Sequence, residues 1–203
     1  GPLYADDAAT PLASRAALLA ATSSIYHHMR LFGLLMHVGS AGKKSKTEAM
    51  YCPARTDKYD DGDTSDLVLD CGGTVSFTQS FVYLGSLLHC DLSDHHDVDA
   101  RIKKASAAFG ALRDRLFTSK DVPERLKGGY AGGVLAVLLY GCGSWCLTAE
   151  SIKRLSRWHN KRLREMCRVT MCQTFVHGIT SKSLQQRTGV FEVEHYLASR
   201  TLL

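Results

Sequence analysis

The spacing of apolar residues along the chain changes character near residue 90. Upstream, short helical and strand-like runs are mixed; downstream, apolar positions recur at the helical period. Leu12, Ala16, Leu19 and Ile25–Tyr26 fall close to a 3.6-residue repeat, so residues 9–38 predict a helix followed by an extended segment. FGLLMHVG (32–39) predicts a turn into a buried strand. A basic turn and a short strand at 47–52 come next, and PARTDKYDDGDTSD (53–66), polar and without periodicity, predicts a loop. From Leu67 to Leu88 the pattern is strand-like, with Gly72–Gly73 between two β-rich runs as a hairpin signal. A second turn at Thr78–Ser80 leads into FVYLG.

Beyond Cys90 every segment predicts helix. Val98, Ile102, Ala105, Phe109, Leu112 and Leu116 make one apolar stripe, with Asp94 and Asp97 at the end where carboxylates suit the helix dipole. TSKDVPERL restarts the pattern, with Ser119 or Asp121 as N-cap and Pro123 in the first turn. That helix is expected to reach about Tyr140 and stop at Gly141. Thr148 opens the next one, whose apolar face is Ile152, Leu155, Leu163 and Met166. Its opposite side carries Lys153, Arg157, Lys161, Arg164 and Arg168. Residues 179–203 predict one or two short helices.

Charge gives this helical part a direction. Residues 1–120 hold 13 Lys and Arg against 14 Asp and Glu, whereas residues 121–203 hold 12 against 6. The whole net charge of +5 therefore lies in the helical part, as expected of a surface that meets a polyanion. Between 151 and 170 seven basic residues accompany a single acid, Glu165. Phosphate contact and a merely solvated face are the two readings, and charge neutralisation favours the first. Trp145 and Trp158 offer base stacking or core packing, with packing the commoner role.

Composition excludes several classes. With 45% hydrophobic and 22% charged residues over 203 positions, the chain is globular and fills one large domain or two small ones. Seven cysteines lack the C-x2-C spacing of zinc ribbons, and His95, His96, His159 and His195 show no ligand spacing. Free thiols in a reducing compartment are the expectation. Residues 128–149 are uncharged and hold two G-x-x-x-G pairs, Gly128/Gly132 and Gly129/Gly133, a pattern also met in membrane helices. The strongly apolar part is only Val134–Tyr140, so a buried helix and no membrane partner are predicted.

Two adjacent acids, Asp6 and Asp7 in LYADDAAT, repel unless something neutralises them. They read either as a solvated loop or as a metal-binding turn. The order of further motifs bears on that choice. YADD (4–7), KKSKTEAM (43–50), FVYLGSLL (81–88), KGGYAGGVLAVLLYGCGSW (127–145) and the closing LQQRTGV and ASRTLL resemble, in this order, the C-terminal portion of a reverse transcriptase of the non-long-terminal-repeat retrotransposon type. The resemblance spans nearly the whole chain. It implies an α+β fold: a partial polymerase palm of a helix plus short antiparallel strands and hairpins at 1–90, an all-helical thumb at 91–172, and a post-thumb connector at 173–203.

The resemblance also implies roles. Two divalent cations, Mg2+ or Mn2+, serve nucleotidyl transfer in such enzymes, and carboxylate oxygens suit magnesium. Asp6 and Asp7 would hold metal, with Asp7 acting electrostatically or structurally if it points away, and Tyr4 would line the primer terminus. Lys46 would stabilise or protonate the leaving phosphate, or is a solvated turn lysine beside Lys43 and Lys44. Tyr83 and Gly85 would let backbone approach the primer, and the stripe at Lys153, Arg157, Lys161, Arg164 and Arg168 would face template and primer. The implied partners are an RNA template, a DNA primer, deoxynucleoside triphosphates in the intact enzyme, and the remaining palm and fingers. The implied location is nuclear or cytoplasmic. Because the third catalytic aspartate belongs to an upstream strand, the chain alone is expected to bind no metal tightly, to lack polymerase activity, and to self-associate through exposed palm surface. A non-catalytic nucleic-acid-binding or scaffold protein with the same helical half is the alternative.

Overall fold

A computed structural model describes residues 3–4, 7–40, 45–53 and 64–201. The fold is α+β, and the chain divides into two compact units, Gly1–Ser93 and Asp94–Leu203.

In the first unit, β1 (Leu3–Tyr4) and β2 (Asp7–Ala8) pair antiparallel, with Tyr4 opposite Asp7. Helix α1 (Arg15–Leu31) begins where the Ser14 hydroxyl accepts the Ala17 N–H at 3.1 Å. A three-stranded sheet follows, in the order β3 (Glu48–Ala49), β5 (Thr74–Phe77), β4 (Leu67–Val68). The β4–β5 hairpin forms across Gly72–Gly73 as expected. Gly72 has φ +76°, which glycine adopts without strain, and a Cβ on Gly73 would lie 2.5 Å from Val38 Cγ2 and force that side chain to shift. Ala49, Leu67, Leu69 and Val75 form a small core. The buried strand expected at 32–39 does not form. Among the described residues the segment joins the sheet only at its end, where Gly39 bridges Thr74; β3 takes that edge of β5 further along, at Ser76 and Phe77. Leu35 is 85% exposed, while Met36 and Val38 reach the core.

The last strands of this unit are β6 (Ser80–Tyr83) and β7 (Ser86–His89), an antiparallel hairpin closed by Leu84 and Gly85. Both turn residues have positive φ, +48° and +85°, as a two-residue turn matched to strand twist requires.

The second unit is helical. Helix α2 (His95–Leu112) buries Val98, Ala105 and Phe109, but the predicted stripe breaks at Leu112, which is 46% exposed. A π turn over Arg113–Phe117 follows, with Thr118 N–H bonded to the Arg113 carbonyl at 2.8 Å. The extra residue in that turn puts Phe117 in the core. Its ring stacks on Phe109 at 4.6 Å, and Tyr130 meets both rings edge-on. Each such aromatic pair adds roughly 0.5–1.5 kcal/mol beyond the burial itself.

Pro123 precedes a 3-10 turn (Glu124–Gly128) that leads into α3 (Gly129–Leu138), with Gly141 at φ +74° beyond its end. Neither expected cap serves it, since Ser119 Oγ instead accepts the Asp121 N–H. Of the G-x-x-x-G glycines only Gly128 meets a neighbour, the Thr188 carbonyl; Gly129, Gly132 and Gly133 face open space. Among the described residues no helix is long and apolar enough to cross a membrane. A short 3-10 turn (Cys142–Ser144) precedes α4 (Ala149–Met166), and α5 (Met171–Val176), α6 (Ser181–Thr188) and α7 (Val193–Thr201) complete the chain. Leu184, Val190, Val193 and Leu197 join the same core as α2, α3 and α4, and a forked Arg187–Glu124 pair at 2.6 and 2.8 Å ties α6 to the 3-10 turn.

Candidate nucleic-acid interface

Helix α4 carries the most organised charge among the described residues. The Thr148 hydroxyl accepts the Ser151 N–H at 3.2 Å and starts it. Its inner side buries Leu155, Trp158, His159, Leu163 and Met166. Trp158 donates its indole N–H to Ser106 Oγ at 2.9 Å and Trp145 donates to Asp97 at 2.8 Å, so both indoles are spent on packing and internal bonds.

Opposite that side, Lys153, Arg157 and Lys161 are exposed and Arg164 is half-buried. At 3.6 residues per turn these four lie within an arc of about 80° and along about 16 Å of helix. That length matches the rise of roughly five nucleotides of one strand. Arg168, also exposed, lies just past the helix end. Among the described residues none of the five has a carboxylate at ion-pairing distance. The two other basic residues of the segment are spent internally. Arg154 pairs with Asp99, and Arg162 grips Glu165 at 2.9 and 3.0 Å while lying over the Phe109 and Trp158 rings. Glu165, the single acid of the segment, is therefore already neutralised and leaves the face uniformly positive.

The end of α4 is tightly closed. The Arg168 N–H bonds the Glu165 carbonyl at 3.1 Å and the Val169 N–H bonds the Arg164 carbonyl at 2.9 Å, the paired bonds of a Schellman motif. Its left-handed position normally takes glycine; here it is Arg168, at φ +55°. Two further groups were not legible as functional in the sequence. Lys127 is 1% exposed, and its ammonium donates to the Ser119 and Met166 carbonyls, each at 3.0 Å. Burial pulls its pKa down, and the nearby Arg168 adds to the shift. His159, equally buried, bonds the Phe191 carbonyl through Nε2 at 2.9 Å. Nε2 must carry the proton there, so Nδ1 accepts from the Tyr130 hydroxyl at 3.2 Å. Burial lowers the pKa of His159 and raises that of Tyr130, which keeps both neutral. A lysine at the border of an uncharged, glycine-rich stretch was the one available signal for Lys127.

The residues proposed for polymerase chemistry lie in the first unit. Asp6 falls outside the described residues, and Tyr4 and Asp7 are described by their backbone pairing alone. Lys46 is exposed, and its backbone N–H donates to His37 Nδ1 at 3.1 Å. Tyr83 ends β6 and Gly85 forms the hairpin turn. All seven cysteines are free, with Cys90, Cys142 and Cys167 buried. Burial pushes the Cys167 thiol up to about 11, which makes it inert as a nucleophile at neutral pH. Comparison with known proteins gave no match: no family model, no curated protein and no solved structure corresponds to this chain.

Proposed function

We propose that the helical unit binds the sugar–phosphate backbone of nucleic acid through the outer face of α4, and that the chain is the C-terminal palm-plus-thumb portion of a retrotransposon-type RNA-directed DNA polymerase. One observation carries the first statement. Lys153, Arg157, Lys161 and Arg164 share one side of α4 with Arg168 just past its end, and among the described residues none of the five has a carboxylate at ion-pairing distance. Spacing of three and four residues repeats the charge at intervals of about 6 Å, which suits successive phosphates better than a single small anion. The polymerase assignment rests on the order of the five motifs; the tight hairpin at FVYLGSLL is consistent with it. In the intact enzyme Asp6 and Asp7, hard oxygen donors of the kind magnesium takes, would hold the metal that activates the primer hydroxyl.

Binding of a labelled RNA–DNA duplex at increasing salt tests the interface. Replacing Lys153, Arg157, Lys161 and Arg164 together by Gln is expected to remove most of the affinity and to reduce the salt slope by about 3–4. Affinity that survives this change intact would make the stripe a solvated face. The non-catalytic reading keeps the same interface and separates on one assay: Asp6→Asn in a polymerase that contains this chain abolishes primer extension only if the catalytic reading is right.

A further inference from the structure

A cavity of about 410 Å3 opens in the first unit between α1 and the turn that joins β4 to β5. Ser23, Tyr26, His27, Arg30 and Leu31 line it from successive turns of one helix face, and Leu69, Asp70 and Cys71 line it from the turn. The volume lies within the range of small-molecule sites, roughly 300–1,000 Å3, and exceeds what a bare anion would fill.

Its chemistry is unusually divided. The Arg30 guanidinium lies over the Tyr26 ring at 5.8 Å from the centroid, so an aromatic face and a cation are presented together. Asp70 lines the same cavity from the other wall. Among the described residues Arg30 has no carboxylate at ion-pairing distance and Asp70 no cation. Opposite charges that share a cavity without pairing suit a ligand with a group for each. Leu69, 3% exposed, and Leu31 add apolar surface.

We propose that this cavity binds a nucleoside 5′-monophosphate, with the base on Tyr26, a ribose hydroxyl on the Asp70 carboxylate, and the phosphate on Arg30 and His27. An aromatic face takes any base without reading its edge. A carboxylate suits paired ribose hydroxyls, which only donate to it. The guanidinium fork matches phosphate oxygens. A free amino acid, the other ligand with both charges, would leave the aromatic face without a role. The site lies in the other unit from α4 and does not depend on the interface proposed there.

Titration calorimetry of the full chain with AMP and GMP, with adenosine and inorganic phosphate as controls, tests it. Both nucleotides are expected to bind, and adenosine about tenfold more weakly for want of the phosphate. Arg30→Gln is expected to bring AMP down to the level of adenosine. Asp70→Asn is expected to weaken both by about tenfold. Arg30 and Asp70 are exposed, so these variants keep the fold, which circular dichroism checks. Absence of nucleotide binding up to millimolar concentration, or binding that both substitutions leave unchanged, overturns the proposal.

Discussion

The Lys127 ammonium donates to the Met166 carbonyl at 3.0 Å, so a buried lysine closes the C-terminal end of the helix that presents the basic face. That carbonyl belongs to the last turn and has no partner within the helix, and the negative end of the helix dipole favours a cation there. Lys127→Ala is expected to cost about 3 kcal/mol, from lost volume and two lost charge-assisted bonds. Lys127→Met should cost less, because it keeps the stem and removes a buried charge. Urea unfolding of both variants gives the order; a Met variant as weak as the Ala variant would mean the charge itself holds the contact.

Arg168 occupies a backbone conformation that glycine adopts freely. Arg168→Gly should therefore raise stability by about 1 kcal/mol while lowering the salt slope of nucleic-acid binding by about 0.9. A gain in thermal midpoint with no change in slope would remove Arg168 from the interface.

Acid sensitivity should concentrate in part at His159. Its pKa in the folded chain lies below the ordinary 6.5 because the ring is buried. As pH falls through 6.5 the unfolded chain takes up this proton first, so the folded state loses stability until its own lower pKa is passed. His159→Gln should flatten the fall in unfolding free energy between about pH 7 and about pH 5 relative to the parent chain. Equal slopes in the two proteins would contradict the neutral ring. Tyr130→Phe, which removes the donor to Nδ1, should cost about 1 kcal/mol.

Leu84 is the non-glycine member of the hairpin turn at 84–85, with φ +48°. Asn is favoured at this first central position, so Leu84→Asn should stabilise the chain by about 0.5–1 kcal/mol. Thermal unfolding measures it, and a loss of stability would show that the leucine side chain contributes more than the turn costs.

Legibility in the sequence followed the range of the interaction. The Thr148 cap and the hairpin at Gly72–Gly73 rest on neighbouring residues, so their residue types were sufficient signals. The outer face of α4 was equally visible, because spacing along one helix fixes which side chains share a side. Competition for a sheet edge was not visible, which is why 32–39 reads as a strand although β3 takes that edge of β5 at Ser76 and Phe77 and Gly39 meets it only at Thr74 among the described residues. Lys127, Asp97 and His159 are buried by partners dozens of residues away, and no local pattern distinguishes such a polar residue from a solvated one. The pairing of Arg154 was hidden for the same reason, since Asp99, which claims it, lies on another helix.

The π turn at Arg113–Phe117 has a consequence for how this chain can change length. It is an α-helix with one residue too many, and the surplus is taken up where Asp114 faces solvent. Deleting Asp114 would place the residue now numbered Phe117 seven positions after Phe109, which an uninterrupted α-helix also brings to one side. The aromatic stack could thus survive in a shorter chain, whereas a deletion one turn earlier would rotate Phe109 itself out of register. Descendants of this sequence should therefore gain or lose single residues between 113 and 116 more readily than anywhere else along the 95–117 segment.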